Sequence, residues 1–323
     1  MAASPIVHFV TGKGGVGKTT VAAGLAMAHR AAGRRVLLAE FDGGDRAADA
    51  LGVPAAGYRL QEVRPGLSLV DLTPEGSLKE YVLLIIKVEA VYRMAFENRL
   101  VKSFLRLLPA LGELTMLGKI WYEWQLRRGP APKKGVVDDR GGPPKFDAIV
   151  LDLPATGHAR AILDAPIAVK RAVPAGPMRD NAERIDAMLR HARSSLVVVT
   201  TADDTPVCEA EELVDFGRAR GFARVEVVAN RLVESVGAGG LERAERAGRH
   251  DRRLAPLAPA LALYNQRAEA GRGHLERLAA KRAPRVLLPA LMRQAADGAG
   301  LAADQWQELA GLLAPLTAPA SSP

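Results

Sequence analysis

Eight consecutive residues, Gly12-Lys13-Gly14-Gly15-Val16-Gly17-Lys18-Thr19, match the pattern G-x-x-x-x-G-K-[ST]. The chemistry of such a run is phosphate binding. Its glycines let successive backbone N–H groups converge on phosphate oxygens, and a following helix adds the positive end of its dipole. Lys18 then bridges β- and γ-phosphates, Thr19 offers its hydroxyl to Mg²⁺, and Thr20 is a further candidate nucleotide-binding residue. Two carboxylates are candidates to serve the same site. Asp42 follows an apolar run at 36–40, where it orients an attacking water or holds a magnesium-bound one; capping of the loop is its alternative role. Asp152 ends the run Ala148-Ile149-Val150-Leu151, which suits a Walker B carboxylate binding Mg²⁺ through water. Beyond it, Gly157 offers a hinge, and His158 is either a packing residue or part of a switch. The role of Asp45 stays open.

These groups need elements to hold them. Short apolar, β-branched runs occur at 6–11, 36–40, 67–72, 148–153, 196–201, 225–229 and 286–288, most of them separated by helical patterns. That alternation predicts an α/β fold, a doubly wound and mainly parallel sheet with helices on both faces. The strand signal stops between 72 and 146. Apolar residues there recur at helical spacing, with Pro109 and Gly112 marking a turn, so 75–126 reads as a helical insertion subdomain on a single ATPase-type domain spanning 1–323. A flexible linker is expected at 127–145, where Pro, Gly and Lys gather. The segment 238–283 reads as two amphipathic helices broken around Pro256 and Pro259. No internal repeat is present.

Composition narrows the classes further. With 48% hydrophobic and 25% charged residues over 323 positions, the chain can bury a full core and is neither fibrous nor disordered. A single cysteine, Cys208, excludes an intrachain disulfide and any Cys-rich zinc site, so a reducing, cytoplasmic setting is expected. No signal peptide and no transmembrane segment are expected, because the apolar runs are far shorter than the about 20 residues a bilayer needs. The formal charge of +8 is spread along the chain, the densest block being 249–253, which also holds Asp251. Such spreading argues for solvated helical faces over a nucleic-acid footprint, while a peripheral membrane contact stays compatible with it.

Lys13 narrows the phosphate loop to a subclass. Lys13-Gly14-Gly15-Val16-Gly17-Lys18-Thr19-Thr20 resembles the deviant Walker A loop of the ParA, MinD, nitrogenase iron protein and arsenite-pump ATPase group. The resemblance implies a homodimer in which Lys13 reaches the phosphates of the other subunit. Together with the Asp42 segment running into Ala48-Asp49-Ala50-Leu51-Gly52, and with 152–158, the chain resembles the ArsA family of arsenite-pump and tail-anchored-protein targeting ATPases. That resemblance makes the loop after Asp42 switch I, with Asp42 activating the hydrolytic water, and the loop from Asp152 switch II. It also implies that Asn230, after Val227-Val228-Ala229, hydrogen-bonds adenine and that Pro289 belongs to a second adenine-contacting loop. Asn230 has the alternative of a turn residue closing its strand. A guanine site would need an Asn-Lys-x-Asp carboxylate, and Arg231, Leu232 and Val233 follow Asn230 instead.

Three departures refine the expectation. Arsenite-pump ATPases hold their metalloid through several cysteines, which Cys208 alone does not supply. The zinc-binding Cys-x-x-Cys of eukaryotic targeting factors is missing. Gly43-Gly44-Asp45 stands where relatives commonly carry Pro-Ala-His. The expectation is a Mg²⁺- and ATP-dependent homodimeric ATPase that switches a protein client. Leu83, Leu84, Ile85, Leu105, Leu107, Leu108, Leu111, Leu114, Met116, Leu117, Trp121 and Trp124 either pack the insertion against the sheet or line a groove for a hydrophobic helix. The alternatives are a positioning ATPase that binds DNA or a membrane surface, and a scaffold that binds nucleotide without hydrolysing it.

Overall fold

The computed structural model of the chain describes residues 4–41, 43–86, 110–132, 137–280, 285–290 and 301–318. One sheet holds eight strands: β1 Ile6–Gly12, β2 Val36–Phe41, β3 Gln61–Arg64, β4 Leu67–Leu72, β5 Ala148–Ala155, β6 Ser194–Thr200, β7 Arg224–Leu232 and β8 Arg285–Pro289. Their spatial order is β3-β4-β2-β5-β1-β6-β7-β8. Every pairing is parallel except β3 with β4. Seven strands fall on the runs predicted from sequence. The eighth, β3, was not predicted: Gln61 and Glu62 are exposed at the sheet edge and leave no apolar signal, and the turn at Pro65 and Gly66 folds β3 back onto β4 as a hairpin.

Ten helices are described: α1 Lys18–Ala31, α2 Arg46–Leu51, α3 Pro74–Ile86, α4 Leu111–Gln125, α5 Thr156–Ala172, α6 Pro177–Leu189, α7 Asp204–Arg220, α8 Gly237–His250, α9 Leu257–Ala280 and α10 Ala303–Leu313. Alternation along each strand divides the core into two layers. Val7, Phe9, Leu37, Ala39, Ile149 and Leu151 pack with α4 to α7 on one face. Val10, Val36, Leu38 and Val150 pack with α1 and α10 on the other. By the same alternation Glu40 and Asp152 belong to the α1 face, the face that carries the phosphate loop.

A buried polar chain crosses that second layer. Arg34 NH1 lies 2.7 Å from His29 Nδ1, His29 Nε2 is 2.9 Å from His8 Nε2, and His8 Nδ1 is 2.7 Å from Ser195 Oγ. Arginine only donates, so His29 accepts at Nδ1 and carries its proton on Nε2. That proton is donated to His8 Nε2, which leaves the His8 proton on Nδ1 facing Ser195. Both histidines are fully buried and neutral: burial is the largest cause holding each pKa down, reinforced at His29 by Arg34, with His29 at about 3.

The region between β4 and β5 is helical in α3 and α4, while 87–109 lies outside the described residues. Leu111, Leu114, Met116, Leu117 and Ile120 of α4 are buried, and all but Leu111 join the core cluster of the central strands. Trp121 and Trp124 pack against that cluster half-buried. Leu105, Leu107 and Leu108, and the side chains of Leu83, Leu84 and Ile85, lie outside the described residues. Within 127–145, Asp138 accepts hydrogen bonds from Arg127 N at 2.8 Å and from Arg140 Nε at 2.7 Å, which holds its carboxyl well below the usual range; residues 133–136 are not described. The described part of the segment 238–283, up to Ala280, forms α8 and α9, with the break at 251–256; 281–283 lie outside the described residues. Pro259 falls in the first turn of α9, where its missing N–H removes no hydrogen bond. Among the described residues, no helix is long and apolar enough to cross a membrane.

Candidate active site

The phosphate loop runs from the last residue of β1, Gly12, to the first turn of α1, which begins Lys18-Thr19-Thr20. Gly12 has no room for a side chain, because a Cβ there would overlap the carbonyl oxygen of Val199 on β6. Gly17 adopts φ 92° against the amide of Asn230, so any L-residue would be strained and would collide with it. Two side chains from the end of β7 brace the loop: Asn230 Nδ2 donates to Val16 O at 2.8 Å, and Arg231 NH1 donates to Gly15 O at 2.9 Å. Arg231 reaches it from a left-handed backbone, φ 57°. Asn230, predicted at this site, therefore stands against the loop itself, its Oδ1 accepting from Arg231 N at 2.9 Å.

Below the loop, Thr19 Oγ1 donates to Asp152 Oδ2 at 2.6 Å. Asp152 is 3% exposed, and its Oδ1 is buried without a hydrogen-bond partner. Burial pushes its carboxyl up to about 6, against the pull of Thr19 and Lys18. Lys18 is shifted down, again by burial first, with Asp152 opposing, and its Nζ rests on Lys13 O at 3.1 Å. A buried carboxylate oxygen without a donor, beside a hydroxyl and a lysine, fits a hard cation with its water shell. No cluster of three His, Cys, Asp or Glu side chains suited to a metal occurs among the described residues. The donor set fits a cation shared with a phosphate ligand, as Mg²⁺ in nucleotide sites is.

Asp42 lies outside the described residues. Its surroundings show groups that sequence reasoning missed. Asp71, 6% exposed at the end of β4, accepts the backbone N–H groups of Gly43 at 3.1 Å, Gly44 at 2.9 Å and Asp45 at 3.2 Å, which fixes the loop after Asp42. Asp45, left open from sequence, accepts from Ala56 N at 3.0 Å and Gly57 N at 2.9 Å. Glu40 pairs in register with Asp152 across β2 and β5, and accepts from Ala47 N at 3.0 Å. Burial, with Asp152 and Asp71 nearby, pushes its carboxyl up to about 7. An acidic residue inside an otherwise apolar strand was the available signal for Glu40. Asp71, inside the run 67–72, carries the same signal, but nothing local says which loop it serves.

Beside the loop opens a cleft of about 820 Å³, bounded by Lys13, Gly15, Arg231, Arg272, Leu287 and Pro289 among others. Pro289 is thus brought to the phosphate loop from the far strand β8. Lys13 is on the cleft's rim, its Nζ paired with Glu209 of α7 in the same chain. His158 lies in the first turn of α5 with its Nε2 3.7 Å from Glu113 Oε1 on α4, and Gly157 beside it has open space around its Cα. The arrangement is a polyphosphate cradle with a cation position beneath it and an adjoining partly apolar cleft.

Comparison with known proteins gives a consistent result. Residues 6–175 match the model of the anion-transporting ATPase family, ArsA_ATPase. The chain is 30% identical to ATPase BagA of Mycobacterium tuberculosis over 215 residues, 65% of this chain and 60% of that protein. It is 26% identical to an arsenical pump-driving ATPase of Acidiphilium multivorum over 234 residues, 66% of this chain and 38% of the other. An arsenical pump-driving ATPase of Escherichia coli matches at 25% over 169 residues, 50% of this chain and 26% of that protein. The chain spans about 60% of the length of the mycobacterial relatives it matches.

Proposed function

Since the chain belongs to the anion-transporting ATPase family, ArsA_ATPase, we propose that it is a Mg²⁺-dependent ATP hydrolase working as a homodimeric switch on a protein client. The observation that carries the reading is the Thr19–Asp152 pair beneath the loop, with Asp152 Oδ1 buried and unpartnered. Gly12 to Thr20 cradle the triphosphate, and Lys18 leaves the carbonyl of Lys13 for a β,γ-oxygen. Thr19 and Asp152 hold Mg²⁺, which when bound neutralises charge developing on the phosphate oxygens. Asp42 orients water for attack on the γ-phosphorus, the bond to the β,γ-bridging oxygen breaking as the new P–O bond forms. Lys13 supplies charge across a dimer interface. The adjoining cleft, lined by Arg231 and Pro289, takes the base, with Asn230 the proposed adenine contact from its place against the loop.

The client side of the proposal rests on connectivity. The helix after Asp152, α5, touches α4 through His158 and Glu113, so movement at the γ-phosphate has a short path into the helical segment 75–126. Arsenite is not the proposed effector: Cys208 is the chain's single cysteine, it is exposed on α7, and one thiolate does not make a soft-ligand site.

The test pairs turnover with capture. Asp42→Asn is expected to bind ATP and lose turnover; unchanged turnover rejects the role of Asp42. Loaded with ATP and mixed with native cytosol and membrane extract, the same variant is expected to enrich proteins with one C-terminal hydrophobic helix over a Lys18→Ala control. Salt-sensitive, ATP-dependent retention on DNA or liposomes instead would move the assignment to a positioning ATPase. ATP binding with no hydrolysis by the parent protein, with or without extract, would move it to a scaffold.

A further inference from the structure

We propose that Glu209 is a positioning residue that ties Lys13 of the phosphate loop to the first residue of α5, so that Lys13 reaches a phosphate only when this tie opens. The proposal deepens the previous reading and rests on Lys13 serving phosphate there.

Both oxygens of the Glu209 carboxylate are in use. Oε1 pairs with Lys13 Nζ, and Oε2 accepts from Thr156 Oγ1 at 2.9 Å. Glu209 is a second-turn residue of α7, so a third element joins Lys13 of the loop to Thr156 of α5. Thr156 opens α5 four residues after Asp152, on the segment that must respond to nucleotide state. The Lys13 ammonium is the largest cause holding the Glu209 carboxyl below its usual range, ahead of the opposing effect of burial, so the group is an anion with acceptor capacity only.

In this state both loop lysines are parked on protein acceptors, Lys18 on the Lys13 carbonyl and Lys13 on Glu209. A polyphosphate offers each lysine a stronger anionic partner. The side chains of Lys13 and Glu209 are 34% and 30% exposed, so solvent screens their pair and leaves it weak enough for a phosphate to displace. Once Lys13 leaves, Glu209 loses its main counter-charge while still bound to Thr156. Engagement of a phosphate by Lys13 is thereby felt at the start of α5, and through His158 and Glu113 at α4. Such a path is a claim about coupling, which a double-mutant cycle measures directly.

Two readouts on the full chain test it, using Glu209→Gln, Lys13→Gln and the double variant. In nucleotide-free protein, Glu209→Gln is expected to speed amide hydrogen exchange in the first turn of α5, with the melting temperature of the whole protein little changed. With ATP, it is expected to lower KM about 3- to 5-fold, the range a screened ion pair supports, without lowering kcat. On the Lys13→Gln background the same substitution is expected to leave KM unmoved, and Glu209→Asp, which keeps the charge, to return KM towards the parent value. An equal KM effect with and without Lys13, or a raised KM, overturns the proposal and makes Glu209 a structural residue. If Lys13→Gln changes neither KM nor kcat while Glu209→Gln still loosens α5, the tie stands and the phosphate role of Lys13 in the preceding reading fails.

Discussion

Substituting His29 by Gln removes one titrating group from the buried chain while keeping its hydrogen bonds. Glutamine Oε1 can accept from Arg34 and its Nε2 can donate to His8 Nε2, the two roles that the neutral His29 tautomer performs. In the folded protein His29 has a pKa of about 3, against an ordinary value of 6.5 in the unfolded chain. Its contribution is therefore present above pH 6.5 and lost as pH falls, because between those values only the unfolded chain takes up the proton. From pH 7 to pH 5 the unfolded imidazole goes from mostly neutral to almost fully charged, which costs the folded state about 1.9 kcal/mol. Total stability does not isolate this term. Glu40, raised to about 7, and Asp152, raised to about 6, gain protons on folding and stabilise the fold as pH falls over the same range. The difference between parent and His29→Gln cancels both carboxylates, and it also cancels most of His8, whose pKa is lowered chiefly by burial in either protein. Equilibrium urea unfolding of nucleotide-free protein at pH 7, 6 and 5 should show the parent losing about 1.9 kcal/mol relative to the variant. A difference that stays constant with pH, or that moves in the parent's favour on acidification, refutes the assignment of a neutral buried His29.

Three further outcomes follow from the same geometry. Asp152→Asn should bind ATP but lower kcat at least about 100-fold and weaken activation by Mg²⁺, because an amide is a poor ligand for a hard cation; steady-state kinetics across a Mg²⁺ titration checks it. Asp71→Asn keeps the shape but weakens acceptance of three backbone N–H groups, so it should cost about 1–2 kcal/mol in denaturant unfolding and reduce turnover through the loop at 43–45. Leu117→Ala, at a fully buried position of α4, should cost about 2–5 kcal/mol, measured by urea unfolding; a cost under about 1 kcal/mol would mean that α4 is not fixed to the sheet.

The sequence by itself determined the parts of this protein whose physics is local. A phosphate loop is eight contiguous residues with its glycines in fixed places, and a two-face-buried strand is an unbroken apolar run, so β1, β5 and the loop between β1 and α1 were legible without coordinates. The sequence assigned Thr19 and Asp152 to one site because strand-end carboxylates in such folds converge on the loop; their hydrogen bond to each other is a finding of the structure. Edge strand β3 was not legible, since its exposed Gln61 and Glu62 bury nothing that would mark them. The rest was decided by contacts between residues far apart in the chain. Asp71 serves a loop 26 to 28 residues before it, Lys13 meets Glu209 across 196 residues, and His8 finds Ser195 across 187. Nothing in the local sequence around Asp71, Glu209, His8 or Ser195 names the partner it meets. Only the parallel stacking of strands distant in sequence sets which of them face the same side at the same height, and that stacking order belongs to the tertiary structure.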